Sequence, residues 1–91
     1  MRPVIWSEAS LRDLAEIDAF LDERDSRIAS QMLRAVRTAV ARLQEYPQNG
    51  WHVRGEFRVF KVAQTPYRVV YRVAAENLEI ARIRHVRENW R

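Results

Sequence analysis

The chain has no cysteine, and that absence removes disulfide staples and thiolate metal sites from consideration. Glycine occurs twice and proline three times, which leaves little room for long flexible linkers. No glycine-rich phosphate loop is present, and no H-x-x-x-H or carboxylate–histidine pair stands at ligand spacing, so neither a cofactor nor a metal is expected. No apolar run approaches the length of a membrane span. The opening stretch MRPVIWSEAS lacks the apolar core of a signal peptide, which points to a cytoplasmic protein with no membrane partner. Lysine is nearly absent as well: fifteen of the 16 basic residues are arginine. Arginine keeps its charge and offers a planar fork to carboxylate or phosphate, which suits docking and not proton transfer.

What is present is one domain's worth of chain, residues 1–91, with a normal apolar content of 47%. The net charge is +4 and is unevenly spread. Residues 1–47 carry seven Arg and eight acids, whereas residues 48–91 carry eight Arg and Lys61 against four Glu. The acids concentrate in residues 8–25, where seven face only Arg12 and Arg24. An acidic segment opens the chain and a basic one closes it. A basic surface of this kind attracts nucleic acid or an acidic protein partner, and direct contact with nucleic acid stays open at this point.

Residues 3–6, PVIW, form a first short strand. Ser7 is placed to cap a helix, and Leu11, Leu14, Ile17 and Leu21 recur every three or four residues as its apolar stripe. Trp6 and Phe20 are expected in the core. ERDS at 23–26 breaks the pattern, and Asp25 or Ser26 can cap a second helix whose stripe is Ile28, Met32, Val36, Val40 and Leu43. Pro47 ends that helix near Glu45–Tyr46, because the residue before a proline avoids helical geometry. Residues 47–56 hold both glycines and read as a loop. Three β-rich segments follow, at 57–64, 67–74 and 78–85, separated by connections so short that they must be antiparallel neighbours. The order is β-α-α-β-β-β: an α+β domain with a helical hairpin packed on one face of a small antiparallel sheet.

The strand YRVVYRV at 67–73 alternates cleanly. Tyr67, Val69, Tyr71 and Val73 form a face for the core, and Arg68, Val70 and Arg72 form a basic, partly open one. The last strand does not alternate: Leu78 and Ile80 share parity with Arg82 and Arg84, while Ile83 faces opposite. A bulge would reset that phase, at a position the sequence leaves open. Metal-free RNA cleavage would need a base, an acid and cations for the phosphate. Only His52 and His85 could serve as the base, and His85 lies beside Arg84 and Arg87. The alternative for the closing stretch RIRHVRENWR is a docking surface.

The chain resembles the ParE/RelE superfamily of bacterial type II toxins over nearly its whole length. The resemblance is carried by Ser7-Glu8-Ala9 leading into LRDLAEIDAFL, by LQEYPQNG at 43–50, by YRVVYRV and by a last strand closing in IRHVR at 83–87. It implies one of two activities. RelE-type toxins cut mRNA on the ribosome with basic strand residues and often a late tyrosine. Lys61, Arg68, His85 and Arg87 would be that site here, but Val59 stands where a second lysine is expected and no tyrosine follows Tyr71. The HVRENW ending looks instead like the H-x-R close of ParE-type toxins, which inhibit DNA gyrase by binding and are neutralised by a ParD-type antitoxin. On that reading, partner contacts fall to Arg68, Arg72, Arg82, Arg84, Arg87 and Trp90. The antitoxin should then bring an acidic C-terminal segment to the sheet and apolar anchors to grooves beside the helical hairpin. A relative that binds its antitoxin without being toxic is the third possibility.

Overall fold

In the computed structural model, which describes residues 1–87, the chain runs β1 (Val4–Trp6), α1 (Glu8–Asp22), α2 (Ser26–Glu45), β2 (Trp51–Arg54), β3 (Phe57–Lys61), β4 (Tyr67–Val73) and β5 (Leu78–His85). Helix α1 starts where expected: the Ser7 side chain accepts a hydrogen bond from the Ser10 amide at 2.9 Å. Helix α2 starts at Asp25, whose carboxylate accepts from the Arg27 amide at 2.9 Å. It stops at Glu45, two residues before Pro47.

The strands form one five-stranded sheet in the order β1-β5-β4-β3-β2. Two expectations need correction. The sheet is mixed, because β1 pairs parallel to β5, with Val4 opposite Leu78 and Trp6 opposite Ile80. Short connections oblige only consecutive strands to be antiparallel. The helical hairpin that follows β1 leaves that strand free to take either direction. The second correction is β2, inside the segment read as a loop. Gly55, at φ +53°, turns the chain so that Arg54 pairs with Phe57 and Trp51 with Val59. A glycine in this left-handed region supplies the backbone geometry of a tight hairpin.

Both helices cover one face of the sheet. The core gathers Val36, Ala39, Val40 and Leu43 of α2, Val62, and Tyr67, Val69, Tyr71, Leu78, Ile80 and Ile83 of β4 and β5. Trp6, Leu14, Ile17 and Met32 pack against it, half-buried. Phe20 and Ile28, expected inside, are exposed, as is Leu11. Phe20 and Ile28 flank the turn between the helices, and Met32 is the first α2 residue to pack on the core. The hairpin end therefore has no sheet beneath it. Phe20 is covered instead by the Arg24 guanidinium, 3.8 Å from its ring centre.

The phase problem of β5 is resolved by a bulge at Ala81. Val70 is opposite Arg82 while Tyr71 is opposite Ile80, so Ala81 has no partner on β4. Leu78, Ile80 and Ile83 can then all be buried. β1 is too short to cover this part of β5, and α1 takes over as its edge. The Ser7 amide donates to the Ile80 carbonyl at 3.0 Å and the Ser7 hydroxyl to the Ala81 carbonyl at 2.8 Å. Farther along, the Ile83 amide donates to the Asp13 carboxylate at 2.9 Å. Backbone groups that a bare edge would leave to solvent are thus satisfied by one helix.

Candidate functional site: the open face of the sheet

The face of the sheet away from the helices carries the basic residues in rows set by strand register. Lys61, Arg68 and Arg84 are successive cross-strand partners on β3, β4 and β5. Trp51, Val59, Val70 and Arg82 make the next row, across β2 to β5. Phe57, Arg72 and Glu79 make the third. Val59 and Val70 are buried and form an apolar floor. A cavity of about 660 Å³ opens over it. The hairpin residues Trp51, His52, Val53, Arg54 and Phe57 wall one side, and Arg68 with Val70, Ala81 and Arg82 complete it. No acidic side chain lines this cavity.

The arginines of this face are not equivalent. Arg72 is paired on both sides: its Nε donates to Glu79 at 2.8 Å and its Nη1 to Glu56 at 3.2 Å. These carboxylates push its pKa up, the Glu79 hydrogen bond most strongly. Arg82 reaches around the sheet edge to make a bidentate pair with Asp13, at 2.8 and 2.9 Å. Burial alone would raise the Asp13 carboxyl. The hydrogen bonds from Arg82 and the Ile83 amide, with the charges of Arg82 and Arg84, outweigh it and hold the pKa below its ordinary value. Arg68 is different. Its Nε is buried and has no hydrogen-bond partner. Its guanidinium lies 5.7 Å from the centre of the Trp51 ring, a cation–π arrangement. Arg54 and Lys61 are exposed and meet no carboxylate among the described residues.

The residues named for RNA cleavage do not come together as a set. Lys61 and Arg68 share the open face, but His85 is turned to the other side. It is the register partner of Tyr67, and the two rings meet edge-on at 5.5 Å, with Tyr67 in the core. His85 Nδ1 also accepts from the Arg87 amide at 3.1 Å. Arg87 is exposed just past β5. Val59 is fully buried, so no charge occupies that position of the face. Trp90 lies outside the described residues. Of the residues named for docking, Arg68, Arg72, Arg82 and Arg84 all stand on β4 and β5. The residues missed from sequence are Trp51, Val53, Arg54 and Phe57. Gly55-Glu56 between two short β-prone stretches was the available signal for the hairpin that delivers them.

A second, smaller cavity of about 350 Å³ lies between α2 and β3. Ala35, Ala39 and Phe60 line it together with Arg34, Arg42 and Lys61, so it too is apolar and cationic, without a lining acid. Among the described residues there is no cluster of three or more possible metal ligands, and no helix is long and apolar enough to cross a membrane.

Comparison with known proteins adds five likenesses. The sequence model of a family described as the ParE toxin of the type II toxin–antitoxin system parDE matches residues 4–90. A putative toxin, Y4kP, of Sinorhizobium fredii is 33% identical over 86 residues, covering 93% of this chain and 88% of the relative. Toxin RelE2 of Caulobacter vibrioides is 33% identical over 85 residues, covering 93% and 96%. Among solved structures, a chain of the chromosomal ParDE system from P. aeruginosa superposes with a TM-score of 0.70 at 20% identity, covering 93% of this chain and 96% of that one. A YoeB/ParE toxin from Agrobacterium tumefaciens gives 0.62 at 17% identity, covering 91% and 96%. At these identities the structural likeness speaks for the fold.

Proposed function

The chain belongs to the ParE toxin family of type II toxin–antitoxin systems, and on that premise we propose that it inhibits DNA gyrase by binding, in the cytoplasm, and is neutralised by a ParD-type antitoxin. The observation that carries this reading is the ParE family match across residues 4–90, which includes the H-x-R close of the chain. The open face is consistent with it. It offers cations and aromatic surface, and the histidine of the last strand is directed away from it. Arg68, Arg72, Arg82, Arg84 and Arg87, with Trp90, are the contacts proposed for partners. The antitoxin reading also draws on the groove between α2 and β3. Its apolar floor and cationic rim fit an amphipathic segment carrying acidic residues.

The second reading, a ribosome-dependent mRNA endonuclease, is favoured by the row of Lys61, Arg68 and Arg84 on one face and by the likeness to a toxin named RelE2. One experiment separates the two. The purified, antitoxin-free protein is assayed for gyrase supercoiling and, in parallel, for mRNA cleavage on translating ribosomes. Loss of supercoiling with intact mRNA is the expected result. Codon-phased cuts with unaffected gyrase would overturn it in favour of the endonuclease.

A further inference from the structure

We infer that Asn49 is a site of spontaneous modification, where the Gly50 amide nitrogen displaces ammonia from the asparagine side chain, and that the bond between Gly50 and Tyr71 keeps this reaction closed in the folded chain. The chemistry belongs to the chain itself and is the same whichever target the protein has.

The reaction follows from which residues are neighbours. A backbone amide nitrogen, once deprotonated, attacks the side-chain carbonyl carbon of the asparagine before it. The new N–C bond closes a succinimide ring, and the bond from that carbon to the side-chain nitrogen breaks. The displaced nitrogen leaves as ammonia, with the proton taken from the backbone amide. Water then opens the ring at either carbonyl, to aspartate or isoaspartate, so that water is exchanged for ammonia. Glycine obstructs the attack least, because it has no side chain and the widest choice of φ and ψ. Asn49 precedes Gly50, whereas the other asparagines, Asn77 and Asn89, precede Leu78 and Trp90. The glycine is not exchangeable: a Cβ at position 50 would lie 2.6 Å from a carbon of the Tyr71 ring. The packing that excludes other residues at 50 therefore also creates the labile pair.

In the folded chain the pair is held shut. Asn49 is exposed, but the attacking nitrogen is buried and donates to the Tyr71 hydroxyl at 2.8 Å. Deprotonating a buried, bonded amide is costly. The backbone on both sides is fixed as well. The Pro47 carbonyl accepts from Tyr71, the Asn49 amide donates to the Tyr46 carbonyl, and Arg58 donates to the carbonyls of Gln48 and Gly50. Ring closure needs rotation within this segment, so it waits for the segment to open. Isoaspartate adds a carbon to the main chain before Gly50, which takes the glycine amide off the tyrosine. Opening followed by reaction is then a one-way exit from the native state.

The test incubates the full chain in mildly alkaline buffer and follows the tryptic peptide 43–54 by mass, which rises as the amide becomes an acid. The chain held unfolded in guanidinium chloride should convert. The folded chain should convert at least about tenfold more slowly, because only its open fraction reacts. Tyr71→Phe in buffer should convert about tenfold faster than the parent, the scale set by a lost buried hydrogen bond. Arg58→Gln loosens the same segment without touching the Tyr71 ring, and should convert faster than the parent by a smaller factor. Ser7→Ala loses bonds in another part of the fold and should stay near the parent rate. Three results would overturn the inference. One is an unfolded chain that keeps its asparagine. Another is a folded parent that converts as fast as the unfolded chain. The last is Ser7→Ala accelerating conversion as much as Tyr71→Phe and Arg58→Gln, which would mean loss through global unfolding with no gate at Gly50. Circular dichroism establishes that each variant is folded at the start, and if Tyr71→Phe is not, Arg58→Gln carries the comparison.

Discussion

Tyr71 and Gly50 are locked together: the tyrosine hydroxyl accepts from the glycine amide at 2.8 Å and donates to the Pro47 carbonyl at 2.7 Å. The segment after α2 is thereby tied to the central strand β4. Arg58 reinforces the tie by donating to the Gly50 carbonyl at 2.7 Å. This gives a physical reason for the proline and glycine of PQNG. Proline stops the helix and presents its carbonyl, while glycine lets the backbone come up against the tyrosine ring.

A side chain at position 50 should not be tolerated. A Cβ there would lie 2.5 Å from the Tyr71 hydroxyl oxygen and 2.7 Å from the Val59 carbonyl oxygen, and the latter is backbone. Gly50→Ala is expected to cost about 1–3 kcal/mol through overpacking. Urea unfolding measures it, and a midpoint equal to that of the parent would contradict the close approach.

Tyr71→Phe keeps the ring and leaves the Gly50 amide and Pro47 carbonyl unpaired, at a cost of about 1–3 kcal/mol. The variant should also change the alkaline limb of stability. Burial raises the Tyr71 pKa above 10.0, and the Gly50 amide and Arg58 oppose this only in part. A raised folded pKa gives stability that is fully present below the unfolded value near 10 and is lost as pH rises through the folded one. Tyr71→Phe should flatten that loss. Identical alkaline limbs in the two proteins would count against the assignment.

Asp13 should govern part of the acid limb. Its folded pKa is depressed, so its contribution is present above the unfolded value of about 3.9 and is lost as pH falls through the lower folded value. Its side chain is only 11% exposed, and it accepts from Arg82 twice and from the Ile83 amide. Asp13→Asn should cost about 2 kcal/mol at neutral pH, the scale of hydrogen bonds to a charged group. Below about pH 4 the gap between variant and parent should narrow. A gap that stays constant down to the acid transition would show that Asp13 is not the titrating group.

Ser7→Ala removes two bonds at once, the cap of α1 and the donation to the Ala81 carbonyl in the bulge. A loss of about 1–2 kcal/mol is expected, at the upper end of cap substitutions. Ser7→Asp separates the roles. It should restore the cap but not the bond to Ala81, and thus recover only part of the stability in thermal unfolding.

Arg87→Glu tests the proposed tail interface. Arg87 is exposed, so the fold should be unaffected. Reversing its charge should weaken binding of an acidic antitoxin segment by about tenfold, read by titration calorimetry, and should reduce toxicity on induction. Unchanged affinity and toxicity would remove this residue from both interfaces.

The parts that could be read without coordinates are those set within a few neighbouring residues. Ser7 and Asp25 start helices because their side chains accept from amides two or three residues on. Pro47 limits α2 through its own ring, and the two faces of YRVVYRV follow from the alternation of a strand. Local pattern was insufficient where burial needs a neighbour. Phe20 and Ile28 have the right spacing for a core stripe, yet they overhang the sheet. Strand β2 was concealed in a segment read as a loop because its residues are all exposed and its one strong signal is Gly55. With it went Trp51, Val53 and Arg54 of the candidate site.

By itself, then, the sequence determined both helices and four of the five strands in their order, the basic character of the closing half and the two faces of β4, since each depends on local backbone preference or on composition. Only the tertiary structure decided that β1 lies parallel beside β5, that Ala81 is the bulge, that His85 turns away from Lys61 and Arg68, and that Arg82 is held by Asp13. These depend on which strands become neighbours and in what register. Asp13 and Arg82 are 69 positions apart in the chain, and only the packing of α1 along the edge of β5 brings them together.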